Sequence, residues 1–303
     1  MNLNFKTVEA EDILNITPFV GLRPNKTCDS VFLDSFLWRE YYKVKFAISD
    51  GKAVQWLMEL DGEPSSAMPL CAEEDLEHYF YEMVDYFNQE LKNPFQIYLA
   101  DEEAILKLNL DPARFEVREQ EDLKDYLYDG EALRTLAGKK LHKKKNNYNA
   151  FVKAYEGRVE YRKLCCSDRD DVWKFLDAWR LQKGEDVEEH LDYEVRGIHE
   201  ILKNCSVLPV EMGGAYVDDK LEAFTIGSFN KRENMAVIHI EKANPEMRGL
   251  YQFINREFLI HAFPTAALVN REDDLGLEGL RKAKMSYNPV GFARKYSVKQ
   301  IMP

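Results

Sequence analysis

Apolar positions along this chain recur at two spacings, and the changes between them mark out its elements. In the first half a strand-like Leu3 to Val8 precedes helical stretches at Glu9 to Ile16 and Val31 to Tyr41. Two β-rich runs, Tyr42 to Ser49 and Lys52 to Leu60, flank Asp50-Gly51 and predict a hairpin. Ser65 to Cys71 is a further strand. Glu73 to Leu91 predicts a helix, acidic at its start, with Leu76, Phe80, Met83, Val84 and Phe87 near helical spacing. A short buried strand at Phe95 to Leu99, a helix at Glu102 to Leu108 and a strand at Phe115 to Arg118 close this half.

The second half runs in a similar order. Val159 to Leu164 predicts a strand, and Asp168 to Leu181 a helix with Asp168 as its cap. Val187 to Asn204 is a second helix. Val207 to Val217 and Leu221 to Phe229 are strands joined by Asp218-Asp219-Lys220, and Met235 to Glu241 is a third. A helix at Gly249 to Phe263, a strand at Ala266 to Val269, a helix at Gly276 to Met285 and an extended Tyr287 to Val298 follow. Gly213-Gly214 inside a strand predicts a bulge or a close backbone approach. The element order is similar to that of the GNAT acyltransferase fold. The expected class is α/β (α+β), with two GNAT-like domains in tandem, 1–128 and 129–303, the second opening on a linking helix.

That helix is read from Asp125 to Tyr155, which holds no proline. With Leu133 at zero, Ala137, Leu141, Tyr148, Phe151, Val152 and Tyr155 fall within about 100° of one another. Lys144 falls inside this apolar stripe at about 20°, and Lys140 on its edge at about 340°. A desolvated lysine needs a partner or a wet cleft. One reading points Lys144 and Lys140, with Asn147 on the flank, into a crevice that receives an anion. The other has Gly138 reset the phase, leaving the lysines on a solvated face.

Composition narrows the classes. A chain of 303 residues exceeds the roughly 250 to 300 at which one core stops growing, so two domains are expected. Hydrophobic residues make up 45%, enough for packed cores. No apolar run approaches the roughly 18 residues of a membrane span. The first residues lack a signal-peptide pattern, so a cytoplasmic protein is expected. Reduced thiols are expected for the five cysteines, and scattered histidines disfavour a metal centre. A net charge of -12 argues against general adhesion to nucleic acid or anionic lipid, yet Lys139 to Lys145 holds five lysines in seven residues.

Chemistry concentrates where a strand ends at Val269. In open α/β sheets ligands bind at the carboxyl ends of strands. Here Asn270, Arg271, Glu272, Asp273 and Asp274 are consecutive, and the next helix carries Arg281, Lys282 and Lys284 before a Tyr287-Asn-Pro exit. Glu272 or Asp273 can hold a substrate ammonium, and Tyr287 can donate its hydroxyl. An acid-rich helix start and a basic helix end are also favoured by the macrodipole alone. A third locus, Arg248-Gly249-Leu250-Tyr251, opens a helix where free N–H groups can hold an anion. It keeps a basic residue and one glycine of a coenzyme A loop, but not the spacing. Glu257 and His261, one turn apart, read as a core pair or as catalytic groups.

Asp125-Tyr-Leu-Tyr, Leu136 to Phe151 and Val269 to Pro289 resemble the family built on the C-terminal domain of phosphatidylglycerol lysyltransferase. The resemblance implies a tandem GNAT-like fold, with Fem-type peptidoglycan ligases as distant relatives. It implies transfer of an aminoacyl group from aminoacyl-tRNA to a lipid headgroup. It matches Lys144, Asn147, Asn270, Arg271, Asp273, Lys282, Lys284 and Tyr287 to motif positions. The multi-helix membrane portion of the lipid-modifying enzymes is absent from this sequence. Lys144, Asp273 and Tyr287 are the expected catalytic groups. Lys140, Asn147, Arg248, Gly249, Asn270, Arg271, Glu272, Lys282 and Lys284 are the expected binding groups, with no metal. Three readings stand: an aminoacyl- or acyltransferase using aminoacyl-tRNA, a coenzyme A-dependent N-acetyltransferase, and a non-catalytic binding module on the same scaffold.

Overall fold

Asp50 and Gly51 both adopt positive φ, 50° and 67°, the geometry a two-residue hairpin turn requires. With Lys52 they join β2 (Lys45–Ser49) to β3 (Ala53–Leu60). In the computed structural model, residues 3–182 and 189–301 are described. The chain divides into two units, Met1–Asp125 with Ala293–Pro303, and Tyr126–Phe292.

In the first unit, β1 (Lys6–Thr7), β2, β3 and β4 (Glu63–Ser65) form one antiparallel sheet in that order. Helices α1 (Ile13–Ile16), α2 (Phe32–Leu37), α3 (Leu76–Tyr86) and α4 (Glu102–Leu108) are interspersed with strands β5 (Gln96–Asp101) and β6 (Phe115–Glu119). The strand Lys295–Gln300 lies between β5 and β6, antiparallel to both, although its place in the sequence suggested the second domain. Its Val298 joins a core in which Phe80 meets Phe95 and Phe115 edge-on at 5.2 and 5.6 Å. This unit holds buried ion pairs. Arg23 forks onto Asp101 with two contacts of 2.6 Å, and Lys295 Nζ meets Asp125 at 2.7 Å.

The second unit is built on a seven-stranded sheet. Its members are β7 (Asp125–Asp129), β8 (Val159–Leu164), β9 (Glu211–Val217), β10 (Lys220–Asn230), β11 (Met235–Ala243), β12 (Leu268–Asn270) and β13 (Gly291–Ala293). The spatial order is β13-β7-β12-β11-β10-β9-β8, with β14 (Lys295–Gln300) in the first unit's sheet. β11 and β12 are parallel. Helices α5 (Gly130–Thr135), α6 (His142–Ala154), α7 (Arg169–Gln182), α8 (Glu189–Asn204), α9 (Leu250–Ala262) and α10 (Glu278–Met285) complete the unit. The expected start of α8 at Val187 lies outside the described residues.

α9 carries the core. Phe258 and Leu259 pack with Ala236 and Ile238 of β11, while Phe253 and Ile254 pack with Ala215, Ala223 and Phe151. The glycine in β9 serves this contact: a Cβ on Gly213 would lie 2.9 Å from the Phe258 ring. Close approach, and not a bulge, is therefore the reason for Gly213. The bulges fall in β10, between Leu221 and Ala223, and where β10 meets β11 at Ile226 and Gly227.

Three expectations are corrected here. Asp125–Asp129 is a strand paired with β12, not the start of a helix, because Tyr126, Leu127 and Tyr128 are all buried in the sheet. The linking segment is helical in pieces: Leu136 at φ 50° and Gly138 at φ 86° end α5 before α6 begins. Helical angles counted from Leu133 therefore do not carry across Gly138, and Lys140 is exposed. Finally, Cys166 and Cys205 are joined in a disulfide where reduced thiols were expected, since the start of α7 and the end of α8 bring their Cα atoms to 5.8 Å. Cys28 and Cys71 are free and buried, and Cys165 is free and exposed.

Candidate active site

β11 is apolar from Met235 to Ile240 apart from His239, and then places Glu241 at its carboxyl end. β12 runs parallel beside it and delivers Arg271 one residue past its own end. The two meet: Arg271 Nη2 donates to Glu241 Oε1 at 2.8 Å, with both side chains largely buried. Asn255 of α9 donates to the other Glu241 oxygen at 2.8 Å. Tyr287, after α10, lies under the guanidinium at 4.7 Å from its ring centroid. Its hydroxyl accepts from Gln252 of α9 at 3.0 Å.

Lys144 of α6 completes the group. Its Nζ sits 4.0 Å from the centroid of the same Tyr287 ring. No ion-pair partner for this ammonium occurs among the described residues. Burial, helped by the nearby Arg271 charge, pulls its pKa down to about 8. Arg271 behaves oppositely. Burial opposes its charge, but Glu241 and the Tyr287 and Tyr128 hydroxyls more than offset this. Burial likewise pushes the Tyr287 and Tyr128 hydroxyls upward, against Arg271. Arg271 Nη1 is buried without a hydrogen-bond partner. Two cations thus flank one tyrosine ring, with a carboxylate bonded to Arg271 alone, in a partly desolvated place, which favours an incoming anion or a developing negative charge.

The neighbouring loop is braced by residues that the sequence offered as ligands. Asn270 is fully buried and its Oδ1 accepts from the Glu272 N–H at 2.7 Å. Glu272, at φ 55°, pairs with His239 Nδ1 at 2.9 Å, and His239 Nε2 meets Ser228 Oγ at 2.8 Å. His239 is the extra residue of the β10–β11 bulge, which re-aims it toward Ser228. Asp273 Oδ1 accepts from the Leu275 N–H at 3.1 Å. Lys284 donates to the carbonyls of Arg271, at 2.5 Å, and Asp273. Asp274 holds Arg281 at 2.9 Å, as well as the Tyr126 hydroxyl.

The remaining candidates lie apart from Arg271. Lys282 is exposed and pairs with Glu278 on its own helix. Arg248 is exposed and donates to Asn147 Oδ1 at 3.1 Å. Gly249 caps α9 at φ 96°, and a Cβ there would lie 2.3 Å from the Asn147 carbonyl oxygen, so it serves the packing of α6 on α9. Glu257 accepts from Tyr148 and pairs with Arg256, while His261 bonds the Glu257 carbonyl. The sequence reading missed Glu241, Gln252 and Asn255. A charge closing an apolar strand was the available signal for Glu241.

This sequence matches the model of a known family. The model of the phosphatidylglycerol lysyltransferase C-terminal family matches residues 22–299, and the chain belongs to that family. A conserved protein of unknown function from Bacteroides thetaiotaomicron is 28% identical, with a TM-score of 0.92 over 99% of this chain and 100% of that one. The L-PGS structure from Bacillus licheniformis is 14% identical, with a TM-score of 0.70 over 97% and 93% of the two chains. A tandem GNAT protein from the clavulanic acid biosynthesis pathway is 10% identical, with a TM-score of 0.51 over 100% and 99%. The chain therefore has the mixed helix-and-sheet, tandem GNAT-like fold expected from its sequence. No helix among the described residues is long and apolar enough to cross a membrane.

Proposed function

We propose that this protein is an acyltransferase whose donor is an activated acyl ester, namely an aminoacyl group carried on tRNA. The observation that carries this reading is the group formed by Lys144, Arg271, Glu241 and Tyr287, in a chain of this family. Attack on an ester carbonyl develops an oxyanion. The Lys144 ammonium and the unsatisfied Nη1 of Arg271 are donors suited to that charge. Glu241 fixes the guanidinium through Nη2, so that Arg271 is oriented before the ester arrives. Asp273 and Lys284 then serve to hold the loop, and Tyr287 supplies the surface over which Lys144 lies. The acceptor is an amine or hydroxyl: its bond to the acyl carbon forms, the ester bond to the tRNA oxygen breaks as the oxyanion collapses, and the acceptor's proton passes through water to the released tRNA hydroxyl.

Loss of the aminoacyl group from charged tRNA, in the presence and absence of protein, tests this reading. Acceleration or redirection by the wild-type chain, removed by Lys144→Ala, supports it. An unchanged rate with wild type overturns it. A coenzyme A donor is the second reading. The packing of Gly249 against Asn147 weighs against pyrophosphate at the start of α9. A saturating ligand at about 100 times its dissociation constant stabilises by ~2.7 kcal/mol, so a clear melting shift with acetyl-CoA and none with charged tRNA reverses the order.

A further inference from the structure

A cavity of about 290 Å³ lies in the second unit between α7 and the start of β10. Phe175 and Trp179 of α7 and Leu221 of β10 form its apolar wall. Phe175 and Trp179 are one helical turn apart, so α7 presents both on one face. Phe175 is anchored edge-on against the Phe224 ring at 5.7 Å. Glu222 lines the same cavity, although it follows Leu221 directly. A regular strand would send the two side chains to opposite faces. The bulge of β10 between Leu221 and Ala223 leaves Glu222 as the extra residue and re-aims it. The Glu222 carboxylate is buried, with a side-chain exposure of 7%. Asn244 holds it in place: its Nδ2 donates to Oε2 at 2.8 Å, and its backbone N–H to the Glu222 carbonyl at 2.9 Å. Oε1 accepts from Lys220 at 2.8 Å, but that lysine is 74% exposed.

We infer that this cavity binds a small organic ammonium ion, with its charge on Glu222 and its apolar body against Phe175 and Trp179. A buried carboxylate is costly unless a cation and hydrogen-bond donors meet it. Each of its oxygens has a second lone pair, so Glu222 can take a further donor beside Asn244 and Lys220. Water screens the pair with the exposed Lys220, and a ligand ammonium held inside the cavity is screened less. Lys174, also at the cavity, is 79% exposed and lies 3.9 Å from Asp171, so its repulsion is weak. An anion would have to enter beside the fixed Glu222 charge, which disfavours it. A neutral apolar molecule would leave the carboxylate's free lone pairs facing hydrocarbon. An aromatic wall with a few convergent polar groups is the usual make-up of a small-molecule site. The inference concerns residues that the acyl-transfer reading does not use, and it does not rest on that reading.

Calorimetric titration of the protein with n-hexylammonium, n-hexanol and hexanoate, probes of one length and different charge, tests it. Saturable binding of hexylammonium, on the order of tenfold tighter than hexanol, with no binding of hexanoate, is expected. Glu222→Gln keeps the side-chain shape and removes the charge. It should weaken hexylammonium on the order of tenfold and leave hexanol unchanged. Lys220→Met should act in the opposite direction and tighten hexylammonium by about threefold, because the lysine no longer competes for Oε1. Lys220 is exposed, so this variant gives the answer even where Glu222→Gln fails to fold. Three results overturn the inference. One is the absence of saturable hexylammonium binding to the wild type. Another is equal binding of hexylammonium and hexanol, which would assign the cavity to apolar ligands alone. The third is hexylammonium binding that Lys220→Met leaves unchanged or weakens.

Discussion

Burial makes the Lys144 ammonium costly near neutral pH, and the sign of that cost can be read against pH. Its folded pKa of about 8 lies below the ordinary lysine value. The folded state therefore releases its proton before the unfolded chain does. The penalty is complete below pH 8 and disappears as pH rises toward the unfolded value near 10.4. Lys144→Met should raise the melting temperature at pH 7 by roughly 1–2 °C, the partial exposure of the group keeping the gain small. The gain should vanish by about pH 10.5 in a melting series. If Lys144 donates to an oxyanion, transfer should fall as pH rises through 8. A rate that climbs through the same range would make it a base instead. Arg271 and Glu241 form a largely buried pair, and removing one partner leaves a desolvated charge. Arg271→Met or Glu241→Met should each cost about 3–5 kcal/mol in urea unfolding, and the double variant less than the sum.

At the scale of elements, contact between α6 and α9 depends on Gly249. Both its φ of 96° and the Asn147 carbonyl 2.3 Å from a would-be Cβ oppose any larger residue. Gly249→Ala should cost at least about 1–3 kcal/mol, with the loss visible as faster hydrogen exchange in α6. Elements with a clean period were legible in the sequence. Glu102–Leu108 and Val159–Leu164 occur as read, and the Asp50-Gly51 hairpin stands with slightly shorter arms. Asp125–Asp129 was not legible, because a five-residue strand with four buried positions resembles the first turns of the helix that follows it. Of the candidate site, Arg271, Tyr287 and Lys144 were named from the sequence, and the structure brings them together. The register of Lys144 was reached through a helix phase that Gly138 interrupts, so its placement owes more to α6 packing on α9 than to the stripe. Glu241 escaped because nothing local announces that a strand-end carboxylate will meet an arginine thirty residues later. Asn270, Asp273 and Lys284 look like ligands in sequence because loop-bracing and ligand-binding use the same polar groups.

For the whole molecule, thiol chemistry gives a compact check. Three cysteines are free, two of them buried, and two are bridged. A thiol reagent should therefore modify Cys165 alone in the native protein and three thiols after unfolding without reductant. Five after unfolding would mean that Cys166 and Cys205 are not joined. The division into units makes a second prediction. Truncation after Phe292 removes β14 and leaves β5 and β6 with unpaired edges and Asp125 without Lys295. The first unit should lose its cooperative melt, while Tyr126–Phe292 retains its own.

The return of β14 to the first unit also sets an order in time. During synthesis the residues from 1 to 125 leave the ribosome first, yet the strand that fills their sheet is still untranslated. At about 5–20 residues per second the intervening segment takes roughly ten to thirty seconds to make. The second unit, continuous from Tyr126 to Phe292, meets no such delay. The part of the chain born first is thus the part completed last, and until then its open β5 and β6 edges are what a chaperone would have to shield.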